Sequence, residues 1–210
     1  GSVLLTYTTN NPTGVCNSVS DSMLVTINPQ PTVDVGNNQT VCSTSTGITM
    51  NAVLGGGASS AIWSTSGDGV FNNNNTNAVY SFGANDMANG TVTLTYTTND
   101  PAGPCIAAAD SFVVNIIPYI AANPSYTYAT NNGDCSDTVL NLSADGTGYW
   151  SAVSVPAGSP YSFSDNTNPN AIFTGESGTE YNLTWNVDNA APCADDTATI
   201  NVVFPNCGVQ

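Results

Sequence analysis

A stretch near the start of the chain recurs 89 residues later, and this repeat limits the possible folds more than any other feature. Residues 1–29 read GSVLLTYTTNNPTGVCNSVSDSMLVTINP and residues 90–118 read GTVTLTYTTNDPAGPCIAAADSFVVNIIP, with 16 of 29 positions identical and no gap. A looser third copy, YNLTWNVDNAAPCADDTATINVVFP, covers residues 181–205. Because this period exceeds the roughly 20–50 residues of solenoid repeats, we expect each repeat to be a whole domain.

The copies have the residue alternation of half-buried β-strands. Val92, Leu94 and Tyr96 alternate with threonines, residues 112–116 continue the pattern on a second strand, and residues 99–104 between them have turn chemistry. Further short strands are predicted near 32–36, 48–54, 60–65, 69–72 and 77–82, with one helical turn at 84–90. About seven short strands in each unit predict an all-β fold of tandem antiparallel Ig-like β-sandwich domains, arranged in a rod.

The repeat also predicts the domain boundaries. Residues 1–30 are expected to be the C-terminal two strands of an incomplete Ig-like domain, and residues 31–118 and 119–205 two complete Ig-like domains. Residues 206–210 would then start a next unit or form a tail. The junctions are short and contain proline, which favours semi-rigid spacing of the domains.

The charge composition excludes many functions. The chain has no Lys, Arg or His and 15 acidic residues, for a formal net charge of −15. Without cations it cannot neutralise phosphates, so neither nucleic acid nor anionic membranes are expected partners. Without His it has no imidazole base and no Ser-His-Asp triad. We expect no enzyme. No stretch approaches the ~20 apolar residues of a membrane span, so no membrane insertion is expected, and targeting signals could lie outside this sequence.

The six cysteines indicate an oxidising, extracellular environment. They are Cys16, Cys42, Cys105, Cys135, Cys193 and Cys207. The simplest pairing is one bridge per domain, Cys42–Cys105 and Cys135–Cys193, with Cys16 and Cys207 bonded to neighbouring units or to each other between successive chains. The alternative of free or metal-bound thiols in a reducing cytosol is disfavoured, because the chain has no Cys-x-x-Cys motif.

Two pairs of acidic residues are candidates for catalysis. Asp195–Asp196 and Glu176 with Glu180 are the candidate carboxylate pairs for glycoside hydrolysis. Since adjacent strand residues point to opposite faces and the glutamates lie in a Ser/Gly-rich turn, we expect solvated loop carboxylates and no catalytic residue.

Calcium is the one cofactor whose ligands the sequence could supply. Asp68 with the run Asn72–Asn75, and Asp100 with Asn99, offer the hard oxygen donors that calcium takes. The chain contains no Asp-x-Asp-x-Asp-Gly loop, and an asparagine run is equally typical of a β-turn. Asp68 and Asp100 are therefore candidate metal ligands, and otherwise no cofactor is expected.

Two tryptophans allow two interpretations. Trp63 and Trp150 follow the first cysteine of their domains by 21 and 15 residues. Exposed, they would form a sugar-binding platform. The favoured interpretation is a core tryptophan on a central strand.

A short motif opens the last strand of each copy. It reads Asp21-Ser22-Met23, Asp110-Ser111-Phe112 and Asp196-Thr197-Ala198, with a fourth instance at Asp137-Thr138-Val139. It resembles the Asp-Ser/Thr-aliphatic acceptor of O-glycosylation in Bacteroidota, which makes Ser22, Ser111, Thr138 and Thr197 candidate glycosylation sites. The alternative is that the aspartate caps the turn that enters the strand.

The region from residue 55 to residue 105 resembles a known family. The tract GGGASSAIWS at 55–64, followed by residues 84–100 and by PAGPC at 101–105, is similar to the Ig-like/PKD-like tandem repeats of giant Bacteroidota cell-surface adhesins. These include the SprB-type gliding-motility adhesins exported by type IX secretion. The likeness covers residues 1–118 well and 119–205 more weakly. It implies a long extracellular stalk that attaches cells to surfaces, and it names no ligand-binding residue.

These observations predict a non-enzymatic structural segment of an extracellular filament or giant cell-surface adhesin, supporting surface attachment or gliding. Its expected partners are neighbouring repeats or subunits of the same filament, and polysaccharide or abiotic surfaces contacted by its Thr-, Ser- and Asn-rich faces. One alternative is a calcium-dependent carbohydrate-binding module of a secreted protein. Another is a separate pilin-like subunit, in which a neighbouring chain adds a strand to the exposed edges of Val3–Thr9 and Met23–Asn28.

Overall fold

The chain forms two compact units. The computed structural model describes residues 1–11, 13–99, 105–130 and 137–206. The first unit consists of Gly1–Gln39 and Thr46–Asn115, and the second of Thr40–Ser45 and Ile116–Gln210. The short segment Thr40–Ser45 therefore belongs to the second unit, although the residues on both sides of it belong to the first.

The described residues up to 117 form eleven short strands and one helix. They are β1 (Ser2–Thr8), β2 (Ser20–Thr26), β3 (Thr32–Asp34), β4 (Gln39–Cys42), β5 (Gly47–Thr49), β6 (Val53–Gly55), β7 (Ala61–Thr65), β8 (Val70–Phe71), β9 (Val79–Ser81), α1 (Ala84–Asn89), β10 (Thr91–Thr98) and β11 (Ala109–Ile117). The sheet orders are β1-β2, β4-β11-β10-β7, β3-β6 and β5-β9-β8.

The core of the first unit follows from the alternation seen in the sequence. On β10, Val92, Leu94 and Tyr96 are buried while the threonines between them are not, and the buried side chains of β11 pair with them across the hairpin. Ile48 and Tyr80, from the β5-β9-β8 sheet, are also buried. Burying each such side chain contributes roughly 1.5–3 kcal/mol, which is why the period-2 pattern specifies these strands.

The second unit is a two-sheet β-sandwich. Its strands are β12 (Ser125–Tyr128), β13 (Val139–Ser143), β14 (Gly148–Val155), β15 (Ser162–Phe163), β16 (Ile172–Thr174), β17 (Glu180–Val187) and β18 (Asp196–Val203). One sheet has the order β12-β13-β16-β15 and the other β14-β17-β18. Leu140 and Phe173 of the first sheet share a buried cluster with Trp150, Trp185 and Val202 of the second.

Helix α1 confirms the predicted helical turn, and two aspartates hold its first turn. Asp68 Oδ1 accepts the backbone N–H groups of Asn85 at 3.1 Å and Asp86 at 3.2 Å, while Asp86 Oδ2 accepts that of Gly83 at 3.0 Å. These N–H groups have no partner within the helix, so the carboxylates replace water there. The helix ends at Gly90, whose φ of 70° lies in the left-handed region that favours glycine.

The predicted all-β antiparallel sandwich is confirmed, with two local differences. The strand predicted at 48–54 is two strands, β5 and β6, separated by residues 50–52, of which Met50 and Ala52 are buried. Strand β4 was not predicted, because its four residues show no apolar alternation.

Candidate functional site

The terminal hairpin β1–β2 reproduces the hairpin β10–β11 residue by residue. Ser2 pairs with Thr26 and Thr8 with Ser20, while Thr91 pairs with Asn115 and Thr97 with Ala109. Every pair is displaced by 89 positions on both strands. The repeat in sequence is therefore a repeat in strand register.

The two hairpins differ in what covers them. Val92, Leu94 and Tyr96 are exposed by 2%, 0% and 1%, whereas their counterparts Val3, Leu5 and Tyr7 are exposed by 45%, 51% and 79%. The same holds for Met23 on β2 and for Ile27 just after it, which are both exposed by more than half. We call the surface formed by Val3, Leu5, Tyr7, Met23, Val25 and Ile27 the hairpin face.

The hairpin face is a large apolar surface of a kind that soluble domains bury. Contiguous exposed apolar patches are typical of surfaces that contact another element or chain. Its opposite side is also more apolar than in the second copy, since the cross-strand pair Leu4 and Leu24 stands where β10–β11 has Thr93 and Val113. In the described residues β1 and β2 form a two-stranded sheet, so the outer edge of each also lacks a partner strand.

The aspartate of the repeated Asp-Ser/Thr motif joins the last strand to the start of its domain. Asp110 Oδ2 accepts the N–H of Val35 at 3.0 Å, and Asp196 Oδ2 accepts that of Ala122 at 2.8 Å. The N–H of Ala122 stabilises the carboxylate and holds the pKa of Asp196 below its usual range. Asp21 keeps only the local bond, from Ser22 N at 2.8 Å.

The neighbouring hydroxyls, predicted as glycosylation sites, are accessible in most copies. Ser22, Ser111 and Thr197 are exposed, and Thr138 is half-buried beside the buried Asp137. The structure thus gives the aspartates a structural role and leaves three of the four hydroxyls at the surface.

The predicted disulfide pairings Cys42–Cys105 and Cys135–Cys193 are wrong. Cys42 is bonded to Cys193, 151 residues further along the chain, with a Cα–Cα distance of 4.9 Å. The reason is topological: Cys42 ends β4, lies in the segment Thr40–Ser45 of the second unit, and meets the β17–β18 turn that carries Cys193. Cys16 and Cys105 are free thiols, and the predicted sites at Cys135 and Cys207 lie outside the described residues.

The candidate metal ligands that the structure describes accept backbone N–H groups. Asp68 receives the N–H groups of α1, and Asn85 N in particular holds the pKa of its carboxyl below the usual range. The amide oxygens of Asn72, Asn73 and Asn74 accept N–H groups of Val79, Asn75 and Trp63, as in a turn. Asp100 lies outside the described residues, and within them no group of three or more acidic or cysteine residues is arranged to hold a metal ion.

The carboxylates considered for glycoside hydrolysis have separate partners. Asp195 accepts the N–H of Asn189 at 2.9 Å, Asp196 that of Ala122, and Glu180 an amide N–H of Asn201. Glu176 is exposed. The carboxyl groups of Asp195, Asp196 and Glu180 therefore each accept a hydrogen bond at a different place in the fold.

Both tryptophans are in the core, as expected, but the expected central strand is wrong: in the described residues β7, which carries Trp63, and β14, which carries Trp150, each lie at the edge of their sheet. Trp63 is 5% and Trp150 1% exposed. Trp63 stacks on Tyr96 with ring centroids 4.2 Å apart and donates its indole N–H to Asn75 O. Trp150 packs against Trp185.

Sequence inspection missed a different pair of aromatic residues. Tyr149 and Tyr161, each nearly half exposed, line a groove of about 670 Å³ in the second unit, together with serines, Asp165 and Asn166. The hydroxyl of Tyr161 donates to Ala152 O at 3.0 Å, which fixes its ring. Exposed rings beside hydroxyl groups are the chemistry that contacts sugars.

No model of a protein family matches the chain, and no curated protein matches it. No helix in the described part of the chain is long and apolar enough to cross a membrane.

Several solved structures are similar in fold. Protocadherin Gamma B7 extracellular cadherin domains 1–4 match with a TM-score of 0.52 and 9% identity, over 96% of this chain and 57% of that one. Protocadherin Gamma B2 extracellular cadherin domains 1–5 match with a TM-score of 0.49 and 15% identity, over 100% of this chain and 46% of that one. Mouse Cadherin-23 EC22-24 matches with a TM-score of 0.40 and 12% identity, over 96% of this chain and 73% of that one. The first likeness shows a fold of tandem β-sandwich domains, and the chain spans little more than half the length of that structure.

Proposed function

We propose that the chain is a non-enzymatic structural segment of an extracellular filament or giant cell-surface adhesin, made of tandem β-sandwich repeats. The observation that carries the proposal is the hairpin face. Its residues share the register of β10–β11, whose apolar side is the core of a sandwich. A hairpin of this kind is completed by the other strands of its own repeat, and the proposed partners of the whole segment are neighbouring repeats or subunits of the same filament.

An extracellular location is supported by the disulfide and by the fold. A bond between Cys42 and Cys193 persists in an oxidising compartment, and the structure of similar fold is named as extracellular cadherin domains. The finer assignment, to stalk repeats of SprB-type adhesins exported by type IX secretion in Bacteroidota, rests on the resemblance of residues 55–105.

Electrophoresis of the native protein tests the proposal. After boiling with reductant, repeats within one polypeptide give a single band far larger than the 21.5 kDa of this sequence. A ladder that collapses to a small subunit would contradict tandem repeats and support strand addition between pilin-like subunits.

Glycosylation at Ser22, Ser111, Thr138 and Thr197 is part of the same proposal. It is supported by the exposure of three of these hydroxyls. Peptide mass measurements on native material test it: each modified peptide should be heavier than its sequence mass, and the Ser111→Ala and Thr197→Ala variants should lose the added mass at those positions.

The Tyr149–Tyr161 groove supports a second candidate function, the binding of a neutral polysaccharide. Affinity electrophoresis in gels that contain soluble glucans, xylans or mannans would detect it as retardation of the 210-residue chain. Tyr149→Ala should abolish retardation, whereas Tyr149→Phe, which keeps the ring, should retain most of it. Equal mobility of all three proteins in every gel would contradict this candidate. A chelator in the gel would show whether calcium contributes.

A further inference from the structure

The Cys42–Cys193 bond lies beside the end of strand β11. The Sγ of Cys193 lies 3.5 Å from the carbonyl oxygen of Ile117, the last residue of β11. Strand β4, which ends with Cys42, is the neighbour of β11 in its sheet. The residue after it, Ser43, donates its N–H to the same Ile117 oxygen at 2.8 Å. The bond therefore joins the hairpin turn of one repeat to a strand laid along the last strand of the repeat before it.

Cys105 occupies the same position one repeat earlier. It lies in the β10–β11 turn, as Cys193 lies in the β17–β18 turn. Its Sγ lies 3.7 Å from the carbonyl oxygen of Asn28, and Asn28 is displaced from Ile117 by the 89 residues that relate the two hairpins. Cys105 and Asn28 both belong to the first unit, and Cys193 and Ile117 both belong to the second. The surroundings of the bonded Cys193 are thus repeated at Cys105, which is a half-exposed free thiol.

The strand that would carry the partner cysteine has a place to bind. In the later repeat, β4 lies along β11, and Asn38, just before β4, accepts the N–H of Val113 with its amide oxygen at 2.8 Å. The counterpart of Val113 is Leu24 on β2, whose outer edge has no partner strand in the described residues. An added strand there would pair with β2 as β4 pairs with β11.

We propose that Cys105 is one half of a second inter-repeat disulfide. Its partner is a cysteine on an extended segment like residues 39–43, carried by the repeat that precedes Gly1 in the same polypeptide and laid along the outer edge of β2. By the same rule, Cys16 bonds the repeat before that one. This inference deepens the proposed function, on which it rests: successive repeats are covalently cross-linked in a ladder in addition to being joined by the backbone.

Formation of the disulfide at Cys105 needs an oxidant that accepts two electrons. The two thiols lose two protons and two electrons to an oxidised disulfide donor, for example a thiol–disulfide oxidoreductase, which becomes a dithiol. The sulfur–sulfur bond forms in the protein as one breaks in the donor.

A peptide-capture experiment tests the site on the 210-residue chain. The probe is a synthetic peptide of residues 37–45, NNQTVCSTS, with its cysteine activated as a mixed disulfide with thionitrobenzoate. Attack by a protein thiolate forms the protein–peptide disulfide and releases coloured thionitrobenzoate. Two matched proteins are compared. The Cys105 protein carries Cys16→Ser, Cys135→Ser and Cys207→Ser. The Cys16 protein carries Cys105→Ser, Cys135→Ser and Cys207→Ser. Both retain Cys42–Cys193.

We expect the Cys105 protein to react at least about tenfold faster with this peptide than with a scrambled peptide of the same composition, because strand pairing raises the effective concentration of the thiol. The Cys16 protein should show no such preference, since its partner strand would bind to a repeat not contained in this sequence. Thr26→Pro should abolish the preference: Ile27 exchanges both backbone hydrogen bonds with Gly1, so the N–H of Thr26 faces the outer edge.

Equal rates with both peptides at Cys105, with Thr26→Pro changing neither, would overturn the inference. It would also be overturned by a non-reducing peptide map of the native protein in which Cys105 is free or bonded to Cys42. Neither result affects the electrophoretic test of tandem repeats. A failure of the proposed inter-repeat disulfides is therefore distinguishable from a failure of the proposed function.

Discussion

The phenol of Tyr80 donates a hydrogen bond of 2.7 Å to Asp86 Oδ2, and both side chains are almost completely buried. The Tyr80 oxygen lies 2.9 Å from the Thr65 hydroxyl and accepts the N–H of Gly69. Asp86 in turn accepts the N–H of Gly83 at the start of α1. In a chain with no Lys, Arg or His, this buried carboxylate is held by neutral donors alone.

Tyr80→Phe should therefore destabilise the first unit by about 1–3 kcal/mol, because it removes one of the donors to the buried Asp86 carboxylate and takes away the acceptor of the Gly69 N–H. Urea unfolding measures the change. Tyr7→Phe is the control, since Tyr7 is the most exposed tyrosine of the repeat and makes no equivalent contact. Equal midpoints for the two variants would contradict this role of Tyr80.

Alkaline pH should weaken the same site. Burial, and secondarily the Asp86 carboxylate, raise the pKa of Tyr80 to about 12. An acid whose pKa is higher in the folded than in the unfolded state loses stability as pH rises between those two values. Tyr80 should thus contribute fully below pH ~10 and progressively less up to about 12. Absorbance titration at high pH should show a late-titrating phenol that is missing in Tyr80→Phe.

Asp196 gives the opposite pH dependence. Its pKa is lowered, first by the N–H of Ala122, so its contribution is present above the ordinary aspartate range and is lost as pH falls through the lower folded value. Asp196→Asn should lower the melting temperature by a few degrees at pH 7 relative to Asp188→Asn. Asp188 is exposed, so its variant removes an equal charge without this bond.

The gap between these two variants should close as the pH is lowered below the ordinary aspartate range. A gap that is constant across this range would show that the carboxylate charge of Asp196 does not stabilise the fold.

Reduction of Cys42–Cys193 should destabilise the second unit strongly. A bridge that closes 151 residues contributes about 5 kcal/mol in the loop-entropy model. Cys42→Ser and Cys193→Ser should lower the urea midpoint alike, and the double variant no further, while Cys16→Ser leaves it unchanged. A larger loss in the double variant would show that each cysteine stabilises the fold independently of the bond.

The strands could be predicted from the sequence where burial has a period of two. The alternation of Val92, Leu94 and Tyr96 with threonines predicts which side chains of β10 are buried. The two hairpins have the same register because their sequences are repeated. The disulfide could not be predicted, because it depends on which strands are neighbours: Cys42 ends a four-residue strand without alternation, next to β11. A buried aspartate such as Asp86 is also invisible in sequence, because its partners, Tyr80 and Gly83, share no spacing rule with it.

The candidate site was predicted in part, for a related reason. The hairpin β1–β2 could be predicted because its sequence matches that of β10–β11 elsewhere in the chain. The Tyr149–Tyr161 groove was not, since its residues come from β14 and from the segment before β15, which meet only in the folded unit. The tryptophans, which stand out in the sequence, are in the core.

The last prediction compares equivalent leucines of the two hairpins. Leu94 is fully buried, so Leu94→Ala should cost about 2–5 kcal/mol. Leu5, its counterpart, is half exposed, so Leu5→Ala in the 210-residue chain should change the unfolding free energy by less than about 0.5 kcal/mol. In the proposed filament, where the other strands of the same repeat would cover the hairpin face, Leu5→Ala should become as costly as Leu94→Ala. Hydrogen exchange of β1 and β2 amides in native material measures this without unfolding the whole filament. If exchange at β1 and β2 is as fast there as in the 210-residue chain, and Leu5→Ala does not accelerate it, the hairpin face is not the core of a repeat.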